Sequence, residues 1–160
     1  MIKISNIKSI LTWNTDKNCL VNLKNKNIYI KNDKIVSISG KDLKVESEID
    51  ACNNIVTPGF IDCHTHPIFN NSRSNDFMLR TSGKSYQEIN DSGGGINSSV
   101  KSLRKINESD LYERCLLRMD TFLFNGTTTI EAKSGYGLSL IDEIKSLNVI
   151  KKINQNHILD

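Results

Sequence analysis

From Val56 onward the apolar residues of the chain switch period repeatedly, and that alternation limits the available folds more than any other feature. Phe60 and Ile61 form an apolar run after the Thr57-Pro58-Gly59 break, which reads as a short strand. Leu111, Cys115, Met119 and Phe122 then recur at helical spacing, with Asn125-Gly126 as a natural stop. Thr127 to Ala132 is short and β-branched, hence a strand. Leu140, Ile144, Leu147 and Ile150 return to the helical period, with Ser139 placed to cap the helix start. Strand, helix, strand, helix predicts parallel strands joined by crossover helices, as in a doubly wound sheet or a (β/α)8 barrel. Residues 56–160 fall well short of the roughly 250 that a complete barrel takes, so any barrel here is incomplete.

The first 55 residues follow another pattern. Ile28 and Ile30, then Ile35 and Ile38, flank Asn32-Asp33, two residues that tolerate positive φ, so the segment reads as a β-hairpin. Residues 1–55 are expected to form a small β-rich domain and residues 56–160 the first βα units of the α/β part. Asp42 to Asn54 reads as irregular and polar, and Asn70 to Asn107, with Gly93-Gly94-Gly95, as a loop with a flexible glycine connector.

Composition closes off several classes. With 38% hydrophobic and 24% charged residues, disorder and collagen-like structure are excluded. No run approaches the roughly 18 apolar residues of a membrane span, so no membrane association is expected. Cys19, Cys52, Cys63 and Cys115 are scattered singly, which predicts reduced, mostly buried thiols and a cytoplasmic protein. The net charge of +3 arises in the first 55 residues, with 9 Lys against 6 acids, while residues 56–160 balance 12 against 12. No basic stripe points to nucleic acid.

Chemistry concentrates at Asp62-Cys63-His64-Thr65-His66, at the C-terminal end of the first apolar strand. The two-residue period puts Asp62, His64 and His66 on one face, so two imidazoles point the same way and can share one divalent ion. A catalytic zinc site has three protein ligands and an acidified water, and only two convincing ligands are present. Two unconnected polar histidines remain the competing reading of a bare His-x-His. His157 is expected at the surface. Arg73, the first cation after the histidines, is either a solvated loop arginine or a bidentate clamp for a carboxylate. Tyr136, in Ser134-Gly135-Tyr136-Gly137 directly after the second strand, either packs as an aromatic or hydrogen-bonds a substrate. Glu131 and Lys133 share a strand face and are placed to pair. The glycine triplet lacks the spacing of a dinucleotide or phosphate loop, and no serine-centred nucleophile elbow is found.

Val56-Thr57-Pro58-Gly59-Phe60-Ile61-Asp62 with His64-Thr65-His66 resembles the opening barrel strand of the amidohydrolase superfamily. His66-Pro67, Ser72-Arg73, Ser92-Gly93-Gly94-Gly95-Ile96 and Glu131-Ala132-Lys133-Ser134-Gly135-Tyr136-Gly137-Leu138 together resemble its imidazolonepropionase family, over residues 28–160. The resemblance implies the N-terminal part of a metal-dependent hydrolase (β/α)8 TIM barrel preceded by a small β-sandwich-like domain that C-terminal strands complete. It implies hydrolysis of 4-imidazolone-5-propanoate to N-formimidoyl-L-glutamate in histidine degradation, with one zinc or iron ion. His64 and His66 match its first two metal ligands, and Arg73 and Tyr136 match substrate-contacting positions. A third histidine ligand and an aspartate lie on later strands of the family, the general base is unassigned, and Lys133 is not its bridging carbamylated lysine. A small-molecule substrate and a homodimer complete these expectations. Two other readings stand beside them: a purine or pyrimidine aminohydrolase sharing the His-x-His strand, and a non-catalytic interaction module.

Overall fold

A computed structural model describes residues 1–160, which divide into two compact units, Met1–Pro58 and Gly59–Asp160. The first is built of strands β1 (Ile2–Ser5), β2 (Ser9–Asn14), β3 (Cys19–Leu23), β4 (Asn27–Lys31), β5 (Lys34–Ser39), β6 (Ser47–Asp50) and β7 (Ile55–Val56). They form a four-stranded sheet ordered β5-β4-β1-β6 and a three-stranded sheet ordered β3-β2-β7. The β4–β5 hairpin turns on Asn32 and Asp33 at φ 50° and 59°, the left-handed pair that a tight turn requires. The β2–β3 turn, Thr15 to Asn18, is fully exposed and held by local bonds, chiefly Lys17 N–H donating to Asn14 Oδ1 at 2.7 Å. Ile10, Ile28 and Tyr29 supply the buried apolar groups, and the Tyr29 hydroxyl donates to the Lys41 carbonyl at 2.7 Å. Lys3 is buried yet remains charged, because Asp42 and Glu48 each approach its ammonium to 3.1 Å.

Asp42 to Asn54 is not irregular throughout. β6 within it pairs in parallel with β1, Ile2 opposite Ser47 through Ser5 opposite Asp50. All four of its residues are exposed, so burial imposed no alternation that a reader of the sequence could detect.

In the second unit β8 (Phe60–Thr65) pairs in parallel with β9 (Thr127–Ala132). The connection between them is helical: α1 (Ser74–Thr81), α2 (Tyr86–Asp91), α3 (Gly95–Lys105) and α4 (Glu108–Phe124), with α5 (Leu140–Asn156) following β9. The stretch 70–107, expected as a loop, thus holds three helices. α2 begins with a complete capping box, Ser85 with Glu88, whose carboxyl falls to about 2 because the Ser85 N–H and hydroxyl and then Lys84 favour its ionised form. α3 buries Val100 and Leu103 among polar neighbours, a stripe too narrow to stand out against Ser, Asn and Lys.

α4 and α5 form as their patterns predict, with Asn107 and Ser139 accepting N-cap bonds from Asp110 and Asp142, and Gly126 at φ +85° ending the helix before β9. The core of this unit is Ile68, Leu103, Leu111, Tyr112, Cys115, Met119, Val149, Ile153 and Leu159. α5 buries Ser146, Val149 and Ile153, while the stripe Leu140, Ile144 and Leu147 read from the sequence stays largely exposed. The helix carries two apolar faces, and period alone does not say which one packs. Asp160 also lies along β9, its N–H donating to the Thr128 carbonyl and its carbonyl accepting from the Ile130 N–H. The sheet is open and no barrel is closed.

Three of the four cysteines, Cys19, Cys52 and Cys63, are exposed; only Cys115 is buried, and burial raises its thiol pKa. The expectation of mostly buried thiols fails because Cys19 and Cys63 lie at exposed positions of β3 and β8 and Cys52 lies on an exposed turn. No helix is long and apolar enough to cross a membrane.

β8 and β9 approach closely at Gly59, where a Cβ would come within 2.1 Å of Thr128 Oγ1 and 2.7 Å of Thr128 Cβ. Gly59→Ala is therefore expected to destabilise the chain by about 1–3 kcal/mol, the usual range for overpacking, as read by denaturant unfolding. Adding Thr128→Ala should recover part of that loss; an unchanged midpoint for Gly59→Ala would disprove the close approach.

Candidate functional site

Because β8 and β9 run parallel, the segments that follow them emerge at the same edge. His64 lies within β8 and His66 just past its end, and Tyr136 lies in the loop after β9. The pairing register shifts between Asp62 and Thr65, so the alternation expected over Asp62, His64 and His66 is interrupted. The imidazoles nevertheless meet: the His64 and His66 rings are 5.5 Å apart between centroids, edge to face. The His66 and Tyr136 rings follow at 5.9 Å, and Tyr136 and Phe69 at 6.3 Å.

His66 is held in a defined state. Its Nδ1 lies 2.8 Å from the Ser134 carbonyl. A carbonyl only accepts, so Nδ1 carries a proton and Nε2 is the ring nitrogen left for a metal, the arrangement a metal-ligating imidazole requires. A Cβ on Gly135 would stand 3.2 Å from the His66 ring, so the loop passes tightly against it. The donor set suits a divalent ion with nitrogen ligands but is only part of a coordination sphere, because no group of three or more His, Cys, Asp or Glu side chains gathers anywhere in the chain.

Arg73 stands at the N-cap position of α1 with its side chain 41% exposed, and its Nε donates to Asp76 Oδ2 at 2.8 Å. It lines a cleft of about 130 Å³ together with Phe69, Asn71, Ser99 and Tyr136, so the two residues singled out for substrate contact open onto the same space. A larger cleft of about 560 Å³, between α1 and α2, also shares Arg73 but not Tyr136; neither cleft is lined by a histidine, and the smaller one reaches His66 only through its ring contact with Tyr136. Glu131 and Lys133 pair at 2.8 Å, and Lys133 holds the Glu131 carboxyl below the usual carboxylate range.

His157 is not a free surface residue. Its side chain is 9% exposed and sits between Asp120, 3.1 Å from Nε2, and the Leu159 N–H, which donates to Nδ1 at 3.0 Å. It closes the end of α5, away from the other two histidines in role as in sequence.

Three residues that buttress the site went unnoticed in the sequence. Arg118 of α4 donates to the carbonyls of Pro67 and Phe69, the latter at 3.2 Å, and its guanidinium lies over the Phe69 ring at 3.5 Å. Arg104 of α3 donates to the carbonyls of Gly137 and Leu138 at 2.8 and 2.9 Å. Glu143 of α5 accepts the N–H groups of the same two residues at 2.9 and 2.7 Å. One signal was available: Arg118 falls on the buried stripe of α4, three residues after Cys115, where a charge needs a partner.

No family model matches the chain. An imidazolonepropionase from Geobacillus kaustophilus is 42% identical over 147 residues, spanning 86% of this chain and 35% of that protein. One from Vibrio vulnificus is 47% identical over 73% of this chain and 29% of its own length, and one from Aliivibrio fischeri 50% identical over 67% and 26%. The resemblance read over residues 28–160 is thereby shown, and the chain corresponds to the N-terminal portion of such sequences, spanning about a third of their length. Among solved structures, guanine deaminase from C. acetobutylicum with bound guanine matches at a TM-score of 0.55 and 20% identity, over 94% of this chain and 33% of that one. Atrazine chlorohydrolase from Arthrobacter aurescens complexed with zinc matches at 0.54 and 18%, over 96% and 34%. These likenesses show that the chain shares a mixed α/β fold with the aligned parts of those two enzymes.

Glu143 links the Tyr136 loop to pH. Burial disfavours its charge, but the Ser134 side chain and the N–H groups of Leu138, Gly137 and Gly135 outweigh that and lower its pKa from the ordinary 4.5. A lowered folded-state pKa contributes stability that is present above the ordinary value and lost as pH falls below it. Glu143→Ala should cost on the order of 1.5–3 kcal/mol, as expected for hydrogen bonds to a charged group, and Glu143→Gln should flatten the acid limb of stability below pH 4.5. Thermal unfolding across pH reads both; an acid limb unchanged in Glu143→Gln would remove Glu143 from this role.

Proposed function

We propose, from the kinship with imidazolonepropionases, that the polypeptide to which this chain contributes its N-terminal portion hydrolyses 4-imidazolone-5-propanoate to N-formimidoyl-L-glutamate. What carries the reading is the edge-to-face run of His64, His66 and Tyr136 beside the cleft that Arg73 and Tyr136 share. The reaction adds water across the ring amide: oxygen bonds to the carbonyl carbon, the carbon–nitrogen bond breaks, and nitrogen takes up a proton.

His64 and His66 would hold one divalent ion, zinc or iron, with the remaining ligands from elsewhere in the protein. Such an ion, when bound, supplies Lewis acidity that brings the pKa of a bound water to near 7. The chain's own contribution is orientation. Ser134 fixes the His66 tautomer, so Nε2 needs no reorganisation to act as ligand. Arg73 takes the substrate propionate in a charge-assisted pair and Tyr136 hydrogen-bonds the substrate beside it. The parallel β8–β9 pair and the alignment of Asp160 along β9 support the second unit as the opening of a (β/α)8 barrel, which starts at Gly59 rather than at residue 56 because β7 pairs Val56 with Ile10 in the first unit. The exposed second face of α5 suits a helix flanked on both sides, and the first 55 residues suit a β-sandwich-like domain.

In the complete polypeptide, His64→Ala and His66→Ala are each expected to remove most bound metal and nearly all turnover, read by elemental analysis and by loss of the imidazolone absorbance. Retained metal with a normal rate would overturn the assignment, as would deamination of a nucleobase with no action on the imidazolone. Arg73→Ala should raise KM by about 10- to 100-fold, the equivalent of about 1.5–3 kcal/mol for a lost charge-assisted pair, with metal content unchanged.

A further inference from the structure

We infer that Asp76 is a positioning residue for Arg73, anchoring the guanidinium through Nε so that its terminal amino groups are left for a substrate carboxylate. The inference rests on the role proposed above for Arg73 and extends it to the structure behind that side chain.

Asp76 Oδ2 accepts two bonds at once, from Arg73 Nε at 2.8 Å and from the Gly95 N–H at 2.9 Å. The Asp76 side chain is 16% exposed, against 41% for Arg73, so the anchor is shielded while the arginine reaches outward. A guanidinium has five donors in a rigid fork. Engaging Nε fixes its plane and leaves the edge formed by the two terminal nitrogens, which takes a carboxylate in a bidentate manner. A long cation ordered before binding loses less freedom on binding.

The glycine triplet, expected as a flexible connector, serves this anchor. Gly95 has φ +72°, a backbone state that side chains rarely adopt, and it directs its N–H at Asp76. At Gly94 a Cβ would stand 2.6 Å from Asp76 Oδ1 and 3.0 Å from the Ile89 carbonyl, so only glycine lets the carboxylate seat there. A carboxylate that merely favoured the first turn of α1 would need neither the backbone bond from Gly95 nor the space at Gly94. Arg73, Asp76 and the triplet form one chain of contacts from α3 to the cleft.

The test is steady-state kinetics of the complete polypeptide on 4-imidazolone-5-propanoate and on its neutral propionamide analogue. Asp76→Asn keeps an oxygen for the Gly95 N–H and removes only the charge holding Arg73. It should raise KM for the anionic substrate about five- to tenfold, change kcat little, and leave KM for the amide unaltered. Gly94→Ala disturbs the same carboxylate from the other side and should reproduce that split. Combining Asp76→Asn with Arg73→Ala should raise KM no further than Arg73→Ala alone. If Arg73→Ala raises KM and both Asp76→Asn and Gly94→Ala leave it unchanged, Asp76 does not position Arg73. If Asp76→Asn affects both substrates equally, its role is structural and the inference is likewise overturned. If Arg73→Ala itself leaves KM unchanged, the failure lies in the reading of Arg73, and the inference falls with it.

Discussion

Two strands that run parallel deliver the segments following them to the same edge of their sheet, and the candidate site depends on this. β8 and β9 are separated by four helices, yet His66 and Ser134, 68 positions apart, share a hydrogen bond because both lie just beyond a strand end. The close approach at Gly59 and Thr128 locks the opposite end of the pair. Were β9 to slip by one residue, every side chain on it would change face. The Ser134 carbonyl would no longer meet Nδ1, and His66 would lose the contact that sets its tautomer.

The helices supply what the strands do not. Loops past strand ends carry backbone groups that need partners, and here charged side chains from three different helices provide them. Arg104 takes the carbonyls of Gly137 and Leu138 while Glu143 takes their N–H groups, so one dipeptide is gripped through both of its polar edges by opposite charges. Gly137 itself has no room for a Cβ, which would lie 2.7 Å from the backbone of Asp142. Arg118 performs the same service for Pro67 and Phe69 and presses Phe69 toward Tyr136. Aromatic rings and imidazoles are thus aligned by bonds made to main chain behind them.

Legibility in the sequence followed burial. α4 and α5 stood out because each sets apolar residues at helical spacing, β9 because it is short and β-branched, and Asn32-Asp33 because a tight turn demands positive φ. β6 was invisible, since its four exposed residues carry no pattern, and α1 to α3 were masked by a polar composition that reads as loop. His64, His66, Arg73 and Tyr136 were visible as residue types near strand ends. Arg104 and Glu143 were not, because their partners are loop backbone groups that only folding brings near; Arg118 offered only its place on the buried stripe of α4, and Asp76 only its spacing of three from Arg73, its bond from the Gly95 N–H being made by the fold. The Ser85–Glu88 capping box is the one helix start in that region that spacing alone announces.

The β2–β3 turn has the opposite character to the glycine triplet. Its residues, Thr15 to Asn18, are exposed and bonded only to their own neighbours. Lengthening the chain there displaces no carboxylate, caps no helix and crosses no strand, whereas one added residue at Gly94 would detach Asp76. A fluorophore or affinity handle therefore belongs in that hairpin tip, where it reports on the molecule without entering the machinery.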